Sequence, residues 1–267
     1  MNQNQPLLHV QRLSKSFGGL KALDQIDLAV QPGEILSIIG PNGSGKTTLF
    51  NLISGIYKPE EGDILLHIAG VESKSLVGMK PHQVTALGVA RTFQNIRIFA
   101  NMTVIENVMV GMHCRTKAGP LRTVLHTRRM REEERHIGEE AQRLLSIFRA
   151  QLFPVMNELA KAIPYADRKR LEVVRALASE PKLVLLDEPA AGMNPQERQV
   201  FIADLKRLRD LGYTLMVIEH DMTMVQGLSD RVIAFDSGRK IAEGTFDEVR
   251  RNELVIEAYL GKKHATA

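Results

Sequence analysis

Residues Gly40 to Thr48, GPNGSGKTT, match G-x-x-x-x-G-K-[ST] without a gap. The apolar run Ile35 to Ile39 precedes them, and Leu49, Phe50, Leu52 and Ile53 follow at helical spacing. Strand, glycine loop and helix therefore come in the order that a phosphate-binding loop needs. Polyphosphate is dense in negative charge. A loop of small residues lets several backbone N–H groups turn inward onto it, while the next helix offers its positive end. In this reading Gly40, Gly43 and Gly45 free the backbone, with Pro41, Asn42 and Ser44 between them and Thr48 closing the motif. Lys46 reaches the β and γ phosphates as a point charge, and the Thr47 hydroxyl ligates Mg²⁺. A plain glycine-rich surface turn would need neither the Lys-Thr pair nor both flanking elements.

A chain of 267 residues can bury one substantial core, or one core with a smaller appended lobe. Cys114 is the single cysteine, which argues against a disulfide framework and fits a reducing cytosol. The opening MNQNQPLLHV lacks the basic and apolar regions of a signal peptide. No apolar run approaches the length that crosses a bilayer, so any membrane role is expected to come through a partner. A formal net charge of +4 is weak evidence for any polyanionic partner, and no nucleic-acid role is expected.

Along the chain, Leu7 to Leu13 and Ala22 to Val30 read as strands, with Phe17 on an exposed bend between them. Asp63 to Ile68 reads as a strand, Pro81 to Leu87 as a short helix, and Gly88 to Phe93 as a strand that ends at Gln94. From Asn95 to about Ala178 strands disappear. Ile137, Ala141, Leu144, Leu145 and Phe148 form one stripe of an amphipathic helix, preceded by the charged run Arg128 to Arg135. The strand pattern then resumes: Lys182 to Asp187, a helix Pro195 to Leu211, Tyr213 to Glu219, a helix Asp221 to Leu228, the strand pair Arg231 to Asp236 and Lys240 to Gly244, and terminal helices to Leu260. This alternation predicts an α/β fold with a mainly parallel sheet covered on both faces. The expected units are an ATP-binding core with a small antiparallel β subdomain, residues 1–94 and 179–267, and an inserted helical subdomain, residues 95–178.

LVLLDEP, Leu183 to Pro189, places two carboxylates at the end of a buried strand. Parallel strands deliver their C-terminal residues to the rim where the glycine loop sits. Asp187 is then a candidate for holding Mg²⁺, and Glu188 for polarising a water that attacks the γ-phosphate.

These motifs are spaced as in the ATPase subunits of ABC transporters, which the chain resembles over nearly its whole length. The resemblance implies that Phe17 stacks on adenine, that Gly40 to Thr48 is the Walker A loop, and that Gln94 joins the Mg²⁺ and water site to the helical lobe. It makes Leu183 to Asp187 Walker B, Glu188 the catalytic carboxylate, Ala191 to Pro195 the D-loop and His220 the switch histidine. RTFQNIRIFANMTVIENVMVG (Arg91 to Gly111), LLDEPAAGMNP (Leu185 to Pro195), VIEHDM (Val217 to Met222) and VIEAYLG (Val255 to Gly261), with the charged insertion near Gly111 to Arg135, look like the LivG-type ATPases of branched-chain amino-acid importers. That family implies ATP and Mg²⁺ and a second ATPase subunit, as a heterodimer in the complex or a homodimer in isolation. It also implies two transmembrane permeases, an external binding protein reached indirectly, and a place on the cytoplasmic face of the plasma membrane. Lipopolysaccharide export, urea uptake and a soluble ABC ATPase are the alternatives to branched-chain import. A P-loop kinase would not explain His220 or the D-loop.

One departure stands out. Where ABC ATPases carry LSGGQ, this chain has Ile163, Pro164, Tyr165, Ala166 and Asp167. The resemblance implies that Pro164 to Asp167 face the ATP of the opposite subunit, yet Pro164 offers neither hydroxyl nor N–H. An alanine methyl at Ala166, or a backbone angle that alanine dislikes, is expected to weaken this half-site. Two unequal ATP sites follow as an expectation, with the main hydrolytic one built on this chain's own Walker A, Glu188 and His220.

Overall fold

The computed structural model describes residues 5–68, 73–92, 94, 96–112, 128–148 and 150–260, and of 128–134 the backbone alone. Cys114, Phe93, most of the insertion and the side chains of its charged run up to residue 134 lie outside the described residues. A hairpin of β1 (Leu8–Phe17) and β2 (Leu20–Val30) leads into β3 (Ile35–Ile39) and, after the glycine loop, α1 (Lys46–Ile53). Next come β4 (Glu61–Leu66), β5 (Lys74–Ser75), α2 (Pro81–Ala86) and β6 (Val89–Arg91). The helical stretch holds α3 (Val104–Met112), α4 (Arg128–Leu145), a 3-10 turn at Ser146–Phe148 and α5 (Tyr165–Leu177). Alternation resumes with β7 (Leu183–Asp187), α6 (Pro195–Asp210), β8 (Thr214–Ile218) and α7 (Met222–Leu228). The described chain closes with β9 (Arg231–Asp236), β10 (Arg239–Gly244), α8 (Phe246–Arg250) and α9 (Glu253–Leu260).

Two sheets result. The larger runs β10-β9-β3-β8-β7-β6, parallel throughout except for the antiparallel β9–β10 edge. Every residue of β3, β7 and β8 is buried, as strands covered on both faces must be. Their side chains alternate between two cores. Leu183 and Leu185 face the cluster with α1 (Leu49, Phe50, Leu52, Ile53), whereas Val184 and Leu186 face the cluster with α5, α6 and Phe148. The helical stretch therefore shares a continuous core with one face of the sheet.

The smaller sheet, β2-β1-β4-β5, is antiparallel and lies over the other face. β1 extends beyond the expected Leu13 to Phe17, because a bulge between Val10 and Leu13 absorbs the break in alternation that made the strand look finished. Arg12 and Gln25 sit there at φ 45 and 48. The bend is thus confined to Gly18 and Gly19, and Phe17 belongs to the strand. Gly62 passes directly over the bulge at φ +87, where a side chain would run into the Gln11 and Arg12 carbonyls. β5 was not legible, being two polar residues, one of which is tied down by Ser75 Oγ donating to Asp63 Oδ1 at 2.5 Å. Phe148 lies in the 3-10 turn and not in α4, but is fully buried beside Ala141, Leu144 and Leu145, while Ile137 of the same stripe is half-buried. Among the described residues no helix is long and apolar enough to cross a membrane.

Gly62→Ala is expected to lower the unfolding free energy by about 1–3 kcal/mol, from positive-φ strain and the carbonyl contacts. Gly138→Ala, in α4 with open space around the new methyl, is expected to raise it by up to about 1 kcal/mol. Denaturant unfolding of both variants checks the contrast.

Candidate nucleotide-binding and catalytic site

β3 ends at Ile39, and the chain turns into the loop through Gly40 at φ +146, where a side chain would collide with the Phe235 carbonyl of β9. α1 then starts at Lys46 with Gly45 as its N-cap and no side-chain cap. Its first-turn N–H groups are left to an anion. The Lys46 ammonium is buried and folded back on the loop, donating to the carbonyls of Gly40 (2.7 Å) and Pro41 (2.8 Å) and to Ser44 Oγ at 3.3 Å. Burial pushes its pKa down, against the pull of the nearby Glu188 and Asp187 carboxylates. Both carbonyls are neutral partners, which an anionic phosphate can replace. Thr47 and Thr48 occupy the first turn beside it, with Thr47 exposed.

Asp187 closes β7 at the same rim, and its Oδ2 accepts from Arg91 Nη2 at 3.1 Å, both side chains being only 7% exposed. Burial raises the Asp187 pKa, and Arg91 opposes the rise. Arg91 Nη1 also donates to Asn51 Oδ1 (2.7 Å) and Ser54 Oγ (3.1 Å), and the guanidinium lies over the Phe50 ring at 5.6 Å. One cation thus ties β6, β7 and α1 together. Sequence reasoning passed over it as a role, although a charged residue closing an apolar strand was a usable signal.

Glu188 follows at φ +47, a conformation that a long side chain rarely adopts, held by its N–H donating to the Ile218 carbonyl at 3.0 Å. The turn points its carboxylate at two of the expected residues. Gln94 Nε2 donates to Oε2 at 2.9 Å, and His220 Nδ1 stands 3.8 Å from Oε1, an ion-pair contact when the imidazole is protonated and too long for a hydrogen bond. His220 is 60% exposed at its side chain, open to a ligand in front of Glu188. Phe17 is 43% exposed at the hairpin tip, meets Tyr57 edge-on at 5.2 Å, and has Lys15 Nζ at 5.3 Å from its ring centre. Tyr57 was missed by the sequence reading; nothing in its local pattern pointed to the hairpin.

The signature turn differs from expectation. Pro164 is the N-cap of α5, with φ −53 and ψ 155, and Tyr165 is exposed and packs its ring against Gly192 of the D-loop. Ala166, however, is 3% exposed and belongs to the helical-lobe core, inside the first turn of α5 and without a positive φ. Its methyl neither faces outward nor strains the backbone, because the helix has already begun there. Asp167, the next residue, carries a charge that is paired within the helix. Arg170 Nη1 pairs with it at 2.9 Å while Arg170 Nε pairs with Asp204 at 2.9 Å, and burial raises the Asp167 pKa.

Among the described residues no cluster of three His, Cys, Asp or Glu side chains forms a metal cage. Thr47, Gln94 and Asp187 supply a hydroxyl, an amide and a carboxylate oxygen around the loop. Such a hard-oxygen set fits Mg²⁺ when phosphate oxygens and waters complete the shell, as is usual for that ion.

Strand, loop and helix, with two carboxylates at the end of β7 across β8 from β3, define the site of a P-loop nucleoside triphosphatase. Comparison with known proteins narrows the class. A family model described as "ABC transporter" matches residues 23–191, and one described as "Branched-chain amino acid ATP-binding cassette transporter" matches residues 239–265. The high-affinity branched-chain amino acid transport ATP-binding protein LivG of Escherichia coli (strain K12) is 41% identical over 97% of this chain and 99% of its own. The protein BraF of Pseudomonas aeruginosa, described in the same terms, is 38% identical over 97% and 99%. Two solved ATP-binding cassettes of an ABC transporter, one nucleotide-free and one in its ADP conformation, superpose with TM-scores of 0.81 and 0.82 at 30% and 31% identity, over 97% of this chain and 100% of theirs. The chain belongs to the ABC transporter family, as an ATP-binding and ATP-hydrolysing cassette.

Arg91→Met leaves the buried Asp187 carboxylate unpaired and is expected to destabilise the chain by about 3–5 kcal/mol, whereas Arg91→Met with Asp187→Asn recovers most of that loss. Denaturant unfolding of the single and double variants measures it.

Proposed function

We propose that this chain is the ATPase subunit that powers import of branched-chain amino acids through two separate membrane permeases, seated on the cytoplasmic face of the membrane beside a second ATPase subunit. The observation that carries the catalytic part is the convergence of Gln94 and His220 on Glu188 at the rim of the Gly40–Thr48 loop. The substrate part rests on the names of the relatives and on the family match at residues 239–265. An external binding protein would choose the cargo.

In this reading the loop N–H groups of Gly43 to Thr48 and the start of α1 receive the phosphates, and Phe17 offers its exposed face to adenine. Lys46 exchanges the Gly40 and Pro41 carbonyls for phosphate oxygens. Thr47, Asp187 and Gln94 are the residues that would hold Mg²⁺, which when bound neutralises charge on the β and γ phosphates. Glu188 accepts a hydrogen bond from the attacking water and draws off its proton as the oxygen closes on the γ-phosphorus and the bond from that phosphorus to the β,γ-bridging oxygen breaks, so that ADP leaves with the electron pair. Gln94 fixes one carboxylate oxygen by its amide N–H, which leaves the other to face the water. His220, exposed in front of Glu188, donates to the γ-phosphate oxygens.

Each chain carries only half of a complete site, so two subunits close face to face around ATP, as a heterodimer in the transporter. This chain's half for its partner's ATP is the weaker one. Pro164 lacks an N–H at the helix start, where a γ-phosphate would otherwise find a donor. Two unequal sites follow.

Glu188→Gln in this chain is expected to lower transporter ATPase activity by about 10²-fold or more, and the same change at the partner's equivalent glutamate by less than about tenfold. Equal losses would sink the idea of unequal sites. The isolated chain is expected to bind ATP, as measured by calorimetric titration, and to hydrolyse it slowly; fast turnover without a partner would count against the assignment.

A further inference from the structure

α5 carries two opposite charges one turn apart, Lys169 and Glu172, each only 3% exposed. Burying a charge costs several kcal/mol unless hydrogen bonds satisfy it, so both need a partner of fixed position. Both find one on the same short loop. Lys169 Nζ donates to the Gln94 carbonyl at 2.8 Å, and Glu172 Oε1 accepts from the Arg97 N–H at 2.6 Å. Charge-assisted bonds of this kind are stronger than neutral ones. Burial pushes the Lys169 ammonium down and the Glu172 carboxyl up, while each is drawn back toward its charged form by the other. A cation on the carbonyl at 94 and an anion on the N–H at 97 hold the loop by both of its polarities, so it cannot slide along α5 without stranding a buried charge.

What the loop holds in turn is Glu188, through the Gln94 amide at 2.9 Å. The same residue is thus gripped by its main chain from α5 and grips Glu188 by its side chain. The first turn of α5, one turn before Lys169, is the signature stretch Pro164 to Asp167. From this continuity we infer that Lys169 and Glu172 are positioning residues that make the orientation of Gln94 on Glu188 depend on the seating of α5, so that ATP in the partner's site sets the rate of hydrolysis in this chain's own. The inference rests on the proposed roles of Glu188 and the signature turn. It differs from them in assigning the link to two side chains that touch neither nucleotide.

The test uses the transporter assembled with full-length chain. Lys169→Met keeps the aliphatic stem and removes the donor. Nucleotide affinity is expected to stay within about twofold of native while kcat falls about 10- to 100-fold, the size of one lost charge-assisted bond, and the Hill coefficient for ATP drops to about 1. Lys169→Arg, which restores a charged donor, is expected to recover most of kcat. Hydrogen exchange should rise at residues 94–99 and stay native in the sheet, which a general loss of stability would not produce. Because both changes act on one element, Lys169→Met added to Gln94→Ala is expected to cost little more than Gln94→Ala alone. Native kcat and Hill coefficient in Lys169→Met, or losses that multiply in the double variant, would overturn the inference. If Lys169→Met does not fold, Glu172→Gln is measured in its place, with a smaller fall in kcat expected and no fall counting against the inference. Glu188→Gln run alongside separates the two failures: if it too leaves turnover native, the reading of the site has failed; if it abolishes turnover while Lys169→Met does not, only the link has.

Discussion

The buried pair Arg91–Asp187 is the joint on which the site hangs. With 7% of either side chain exposed, neither charge is tolerable alone, and removing one partner would leave the other stranded. The pair therefore fixes β6 against β7, and the two further bonds from Arg91 to Asn51 and Ser54 fix both strands against α1. Those three elements deliver Gln94, Asp187 with Glu188, and Lys46 respectively. A hydrophobic joint could hold the same elements together as firmly. It would leave their register to packing, whereas a guanidinium with donors aimed at three residues admits one arrangement.

A second layer of buried charge lies behind the first. Lys169, Glu172 and Glu219 line the seam between the sheet and α5, and each is satisfied by main-chain groups of a loop. Glu219 Oε1 accepts from the Ala190 N–H at 3.2 Å, beside the turn that carries Glu188. The loops at the rim are thus not simply strand ends exposed to solvent. They are pinned from beneath by charges that the core has enclosed, and this lets short polar segments keep a fixed shape at the edge of a site.

How much of this was legible depended on whether the signal was local. The glycine loop, the fully apolar strands β3 and β7, and the Asp187–Glu188 pair are written in consecutive residues, and the parallel sheet follows from their alternation with helices. Long-range facts were hidden. That Lys169 and Glu172 are buried, and that Arg91 reaches Asp187, Asn51 and Ser54, is set by what packs over and beside them and is not written in the residues around them. The bulge that carries β1 on to Phe17 depends on Gln25, Asp27 and Gly62 arriving from other segments. At the signature turn, the alanine in place of the expected glycine suggested strain, but strain requires a positive φ, and the helix begins too early for one.

Glu188 sits at φ +47, in a region that costs a non-glycine residue about 1–3 kcal/mol. The sheet, through the Ile218 carbonyl, holds it there. Folding stability and the catalytic role proposed for Glu188 are consequently in conflict at this one position. A glycine would relax the turn and leave the chain harder to unfold, but it would have no carboxylate to present. What the strained turn yields in return is a carboxylate held toward Gln94 and His220.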